Sequence, residues 1–191
     1  MSLGRSLSNL VSELRAQKAT FAVVGGLAAS VRGEARFTRD VDVAVDVPDD
    51  SSAEALVHFL IQAGYELLAT VEHDKTGRLA TARLRDADGV VCDLVFATCG
   101  IEHEVVASAE ELEILPTVSV PTASAESLLA MKTLSVTARR ARDLDDIRAI
   151  VRQNPDLDEA RVTALLQLIE ERGCARGQNL LEKWRGLRAS L

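Results

Sequence analysis

Apolar positions recur at two different spacings along this chain. Leu7, Leu10, Val11 and Leu14 follow one helical face, which predicts an amphipathic helix over residues 6–17. The apolar run 21–24 stops at Gly25-Gly26, and residues 27–32 resume with good helix formers: a strand, a glycine turn and a helix start. From Asp40 to Asp46 the period is two. Asp40, Asp42 and Asp46 share one face of the predicted strand, and Val41, Val43, Val45 and Val47 take the other. Pro48 ends it, and Ser51 or Ser52 is placed to cap a helix running to about Ala63, with Leu56, Phe59 and Leu60 inward and Gly64 as its stop.

Residues 67–71 read as a strand. Beyond the turn 73–77, residues 79–84 alternate loosely, and the turn Asp86-Ala87-Asp88-Gly89 leads back into the apolar run 90–96 as a hairpin. The segment 101–115 has a weak pattern and ends at Pro116, and residues 118–121 predict a short edge strand. Helical spacing dominates afterwards. Thr122 or Ser124 caps a helix through Leu134 that carries Lys132, and a short helix follows over 143–151. Asp156 or Asp158 caps another helix, with Val162, Leu165, Leu166 and Ile169 on one face up to Gly173, and a last helix covers 178–187. Mixed elements followed by helices alone give an α+β fold with a helical C-terminal half. The expected division is an α/β core over 1–116 and a helical region over 117–191 that completes a cleft, with 116–121 as the boundary.

At 191 residues the chain is long enough to bury a substantial core, and 47% hydrophobic with 27% charged residues describes an ordinary globular protein. The net charge of −7 argues against a general nucleic-acid binder, and an aromatic content of 3% against an extended base-stacking surface. The C-terminal stretch is locally basic: Arg172, Arg176, Lys183, Arg185 and Arg188 make either a solvated helix surface or a contact for a polyanion. Cys92, Cys99 and Cys174 lack metal-ligand spacing and read as reduced thiols. With no secretory signal and no membrane-length apolar run, this predicts a cytoplasmic protein with no membrane partner.

Six features bear on chemistry. Asp40 and Asp42, two residues apart on a rigid strand, either hold a hard divalent cation or form the wet face of a half-solvated strand. Gly25-Gly26 precedes a helix N-terminus, where unpaired N–H groups and the helix dipole favour an anion, although the same pair is often only a turn. Asp93 lies in an apolar strand, and a buried carboxylate needs a cation or a strong donor beside it. Its partner is a metal shared with Asp40 and Asp42, or Arg83 or Arg85 across the hairpin. Lys132, among Leu128, Leu129 and Met131 on an amphipathic helix, reads by itself as a snorkelling surface lysine. Asp143 and Asp146 are placed near a helix start, where acids cap and favour the dipole, with capping preferred for Asp143. Arg139, Arg140 and Arg142 form a basic run, either a solvated loop or a contact for triphosphate or RNA phosphates. His58, His73 and His103 have no triad or metal spacing, and no Gly-x-Ser-x-Gly or Cys–His arrangement supports covalent catalysis.

Taken together, Gly25-Gly26, Arg36-Phe37-Thr38-Arg39-Asp40-Val41-Asp42 and the later Asp93 resemble the nucleotidyltransferase superfamily that includes DNA polymerase beta. Lys132 followed by Arg142-Asp143-Leu144-Asp145-Asp146-Ile147 is similar, more narrowly, to the AbiEii-type nucleotidyltransferase-like toxins. The resemblance covers roughly residues 21–151. It implies a small mixed sheet with flanking helices, and Asp40, Asp42 and Asp93 as ligands to Mg²⁺ or Mn²⁺, with Asp93 activating the acceptor hydroxyl. Gly25, Gly26, Thr38, Arg39, Lys132 and Asp146 become the expected contacts to a nucleoside triphosphate. The superfamily's usual Gly-Ser is Gly25-Gly26 here, which removes a serine hydroxyl from the triphosphate site. The implied reaction moves a nucleoside monophosphate onto an acceptor hydroxyl such as a tRNA 3′ end, in a toxin restrained by a cognate antitoxin. Other expected acceptors are a protein side chain or a small molecule of the aminoglycoside kind. A nucleotide-binding or interaction protein that kept the fold and lost turnover is the competing class.

Overall fold

The computed structural model describes residues 3–74, 76–96, 100–137 and 141–191. Its elements run α1 (Leu3–Ala16), β1 (Thr20–Val23), α2 (Gly25–Arg32), β2 (Asp40–Asp46), α3 (Asp50–Gln62), β3 (Glu66–Glu72), β4 (Leu79–Arg85) and β5 (Val91–Val95). They continue as α4 (Glu102–Ala107), β6 (Glu110–Leu115), β7 (Val118–Thr122), α5 (Ala125–Ser135), α6 (Ala141–Gln153), α7 (Glu159–Glu171) and α8 (Leu180–Ala189).

The strands form one mixed sheet in the order β3-β4-β5-β2-β1-β7-β6. β2 and β5 at its centre are parallel, as are β1 and β7, and the other neighbours are antiparallel. The valine face of β2 explains its central place: Val41, Val43 and Val45 are fully buried. The helices of the C-terminal half gather on α5, which packs against α6, α7 and α8. α2 touches both α5 and α6, so the helix that follows the glycines joins the sheet to the helical half.

Several expectations change in detail. Helix α2 begins at Gly25 itself, so the glycine pair is its first turn rather than a loop before it. Asp49, not Ser51 or Ser52, caps α3 by accepting from the Ser52 N–H at 2.8 Å. The weak segment 101–115 splits into α4 and β6. β6 covers β7, so the strand expected at the edge lies one place inside it, and β6 and β3 are the edges. Residue 116 therefore falls in the turn of the β6–β7 hairpin, with the last strand of the sheet on the C-terminal side. Ser124 caps α5, Asp158 caps α7 and Asn179 caps α8. Arg139, Arg140, Cys99 and Lys75, each part of an expectation above, lie outside the described residues.

Candidate active site

Register across three neighbouring strands builds the site. Arg83 of β4 stands opposite Asp93 of β5, and Asp93 opposite Asp42 of β2, so the three side chains form one row on one face of the sheet. At the end of that row, the Val24 N–H donates to the Asp42 carbonyl at 2.9 Å, which brings the start of α2 against the row. The Gly26 N–H points at Asp42 Oδ2 at 3.4 Å.

Two glycines make this approach possible, for different reasons. Gly25 has φ +61, and a Cβ there would lie 2.0 Å from Asp42 Oδ2. Only glycine keeps the space beside that oxygen open. At Gly26 a Cβ would meet Thr38 Oγ1 at 2.8 Å and Arg36 Nη2 at 2.9 Å. A side chain at Gly26 would require these two side-chain ends to shift, so the loop before β2 occupies the space a serine there would use.

Charge is unevenly balanced along the row. Burial first, then the neighbouring Asp93 charge and to a lesser extent Asp40, push the Asp42 carboxyl up to about 6. The Gly26 N–H and Lys132 act in the opposite direction. Asp93 is 8% exposed and accepts from Arg83 twice, Nε to Oδ1 at 2.8 Å and Nη2 to Oδ2 at 2.6 Å. That bidentate pair holds the Arg83 guanidinium protonated well beyond its ordinary range. Asp40 is exposed at the start of β2. Among the described residues, no three acids, histidines or cysteines enclose a metal position as they stand. The expected three-acid cage is therefore not closed here, because both Asp93 oxygens face Arg83. The donor set nonetheless suits a hard cation. Asp42 and Asp93 are neighbouring carboxylates, the oxygen donors that Mg²⁺ or Mn²⁺ prefers, and Gly25 leaves clear the space beside Asp42 Oδ2.

Across the cleft lies a second ionic cluster. Lys132 is 6% exposed, neither snorkelling nor at the surface. Its ammonium donates to Asp146 Oδ2 at 2.6 Å and Asp143 Oδ1 at 3.2 Å. Arg36 reaches the same Asp146 from the loop before β2, with Nη2 at 3.1 Å from Oδ2 and Nε at 2.8 Å from Oδ1. Ser135 donates to Asp143 Oδ2 at 2.9 Å. Helix α6 starts at Ala141, so Asp143 lies inside its first turn and binds Lys132 there. An acid in the first turn also favours the helix dipole, as the sequence suggests, so the ion pair with Lys132 adds to that role. Asp146, left open between capping and function, is the shared acceptor of two cations.

The two clusters face one cleft. Its inner part is a cavity of about 290 Å³ lined by Gly25, Asp42, Asp93, Lys132, Asp143 and Arg176. Its outer part, about 790 Å³, is lined by Phe37, Thr38, Arg39, Asp40, Arg83 and Arg142. Of the residues that the resemblance implies as nucleotide or metal contacts, all line this cleft except Asp146, which sits beneath Lys132. Arg36, Arg83 and Arg176 join them. Arg36 belongs to the quoted motif and Arg83 was one of two named partners for Asp93. Arg176 was noted only within a basic tail. Much of that tail is otherwise engaged: Arg172 pairs with Glu104 and Arg188 with Glu159. Asp46 lies outside the cleft, its Oδ2 bonded to His103 Nδ1 at 2.9 Å.

Residues 10–187 match the family described as nucleotidyl transferase AbiEii toxin, type IV TA system. The chain belongs to that family. As an AbiEii-type chain it is a nucleotidyltransferase, with a nucleoside triphosphate as the substrate the family implies. A search of curated proteins by sequence gave no match. Solved structures agree on the fold. ANT(2")-Ia in complex with adenylyl-2"-tobramycin superposes with a TM-score of 0.60 at 14% identity, covering 90% of this chain and 99% of that one. An antigenic nucleotidyltransferase-like protein from Paracoccidioides brasiliensis gives 0.53 at 19% identity, covering 95% and 92%. The lincomycin-bound lincosamide antibiotic adenylyltransferase LnuA gives 0.50 at 16%, covering 76% and 96%. No described helix is long and apolar enough to cross a membrane.

Proposed function

We propose that this AbiEii-type chain moves a nucleoside monophosphate from a nucleoside triphosphate to a hydroxyl at the 3′ end of a tRNA, and inhibits growth by doing so. One observation carries the chemistry: Asp42 and Asp93 stand in register beside an N–H-lined glycine turn in a cleft ringed by arginines. Two adjacent acids, one raised to about 6 by burial and by its neighbour, are poorly compensated without an added cation. Asp40, Asp42 and Asp93 would hold Mg²⁺ or Mn²⁺, with Asp93 turning from Arg83 or sharing its remaining lone pairs. The bound ion supplies Lewis acidity at the attacking hydroxyl and charge neutralisation at the departing pyrophosphate.

The chain's own groups do the rest. The first N–H groups of α2 at Gly25 and Gly26 receive phosphate oxygens, because they lie at the positive end of the helix without an intrahelical acceptor, the Gly26 N–H turning from its long contact with Asp42 Oδ2. The Thr38 hydroxyl, in the space a serine at Gly26 would need, takes over that serine's contact. Arg39, with Lys132 and Asp146 fixing the inner wall, completes the nucleotide site. In the transfer, the acceptor oxygen bonds the α-phosphorus as the bond to the β-phosphate oxygen breaks. The acceptor proton passes to Asp93 or through it to water. Both the triphosphate and the tRNA reside in the cytoplasm, where we place the protein, together with an antitoxin that restrains it.

Labelled nucleoside triphosphates, Mg²⁺ or Mn²⁺ and total tRNA test this reading, with Asp40→Ala and Asp42→Ala as dead controls. Label on RNA, lost in both controls, is the expected result. Label on protein or on an aminoglycoside would overturn the acceptor and keep the chemistry. No transfer with any metal or triphosphate would overturn the enzymatic reading.

A further inference from the structure

The loop between α2 and β2 alternates. Arg36 and Thr38 turn inward, to Asp146 and to the space over Gly26, whereas Phe37 and Arg39 turn out to solvent. Phe37 is 77% exposed. The chain has six aromatic side chains, and the other five lie in the core or packed against it: Phe21, Tyr65, Phe96 and Trp184 are buried, and Phe59 is partly so. The one aromatic ring left in water stands on the wall of the outer cavity, beside Asp40, Asp42 and Asp93.

Its surroundings narrow what it can serve. Glu34, Ala35, Arg39 and Asp40 next to it are all exposed, so the ring is not part of an apolar patch of the kind a protein partner covers. The Arg39 guanidinium already lies over the ring, 5.4 Å from its centroid. A ring that holds one planar cation at its face offers a stacking surface for another flat group. In a cleft that takes nucleotides, that group is a base.

We propose that Phe37, with Arg39 as a movable cover, is the stacking shelf for an unpaired nucleobase at the mouth of the cleft. The base belongs to the incoming triphosphate or to the acceptor end. The proposal rests on the nucleotidyl-transfer reading. Stacking on a phenyl ring is tolerant of base identity, so the shelf sets affinity and placement and does not choose the base.

The test uses the full-length protein and four variants: Phe37→Ala, Phe37→Leu, Phe37→Tyr and Phe37→Trp. An exposed position tolerates all four without loss of fold, which thermal melts verify. Stacking predicts that Ala and Leu raise one KM by about tenfold with kcat unchanged, whereas Tyr and Trp behave as wild type. A rise in the triphosphate KM assigns the base to the donor, and a rise in the acceptor KM assigns it to the acceptor. In the Phe37→Trp variant, whose other tryptophan is the buried Trp184, a nucleoside triphosphate or a short single-stranded RNA should quench the exposed indole. Inorganic tripolyphosphate, which carries the charge and no base, should not. Unchanged KM values for both substrates in Phe37→Ala, or equal quenching by tripolyphosphate, would overturn the shelf while transfer by wild type stands. Leu matching wild type would reduce it to apolar contact and overturn stacking. A wild type that neither binds nor uses any triphosphate would overturn the transfer reading and this proposal with it.

Discussion

Two ionic clusters face each other across the cleft, and they differ in balance. The helical cluster sets two cations, Lys132 and Arg36, against two acids, Asp143 and Asp146. Two successive helices and a loop about a hundred residues earlier contribute, and the four charges answer one another. The strand cluster sets Arg83 against Asp93, with Asp42 next in the row and Asp40 close by. Its acids outnumber its cation. A closed cluster of the first kind fixes one element on another; an open one of the second kind waits for a cation from outside. The difference teaches that buried acids alone do not mark a metal site. On the proposed reading, a row whose acids outnumber its cations does.

The comparison fails first if Asp42 is dispensable. Asp42→Asn should lower kcat/KM on the order of 10³-fold, since Lewis-acid stabilisation of this kind is worth several kcal/mol. Steady-state transfer assays measure it. Residual activity within tenfold of wild type would mean that the row is not the cation site. Next in size is Lys132→Ala. It leaves Asp146 and Asp143 buried against fewer cations, and breaking such a pair costs about 3–5 kcal/mol of stability, measured by denaturant unfolding. An unchanged midpoint with a weakened triphosphate affinity would show that Lys132 serves substrate instead, and the contrast between the clusters would collapse.

Asp42 also gives a pH test with the opposite sign from an ordinary salt bridge. Its folded value of about 6 lies above the unfolded one. Below about pH 4 the carboxyl is protonated in both states and contributes nothing. Between there and pH 6 the unfolded chain ionises first, so the protein loses stability as pH rises, and the deficit is constant above. For a partly exposed group the deficit is on the order of 2 kcal/mol. Asp42→Asn should therefore melt higher than wild type at pH 8 and equal to it at pH 4. Mn²⁺ should narrow the gap at pH 8 by stabilising wild type alone. A variant less stable than wild type at pH 8 would mean that the row is already balanced.

Much of the strand cluster was legible in the sequence because it is written in one period. The valines of β2 fix its buried face and so force Asp40 and Asp42 to the other. The partner of Asp93 was not legible. Arg83 and Arg85 are both on β4 on its outward face, and only the register of β4 on β5 sets Arg83 opposite Asp93 and Arg85 opposite Val91. Register depends on the whole hairpin, not on either residue. The helical cluster was less legible still. Nothing around Lys132 announces burial, since its partners lie on α6 and, through Asp146, on Arg36, 110 residues from that acid. The helix α4 and strand β6 hid within 101–115 because both are short and carry many glutamates, which blurs either period.

The smallest effect is the most discriminating, because it separates two acids of the same strand. Asp46 shares its face with Asp42 but lies outside the cleft, paired with a His103 that is 72% exposed in its side chain. The hydrogen bond and charge of Asp46 raise the His103 pKa. A raised histidine stabilises the fold below its unfolded value near 6.5, and that contribution fades as pH climbs through the folded value. Asp46→Asn should leave transfer within about twofold of wild type, as surface pairs contribute little, and should remove only a slight excess of thermal stability at pH 5.5 that is absent at pH 8.5. Asp42→Asn reverses that pattern on both axes, losing transfer and gaining stability at high pH. If Asp46→Asn instead matched Asp42→Asn in lost activity, position relative to the cleft would not decide which acids matter. The outward face of β2 would then act as a single acidic surface, not as one metal-facing pair with a peripheral neighbour.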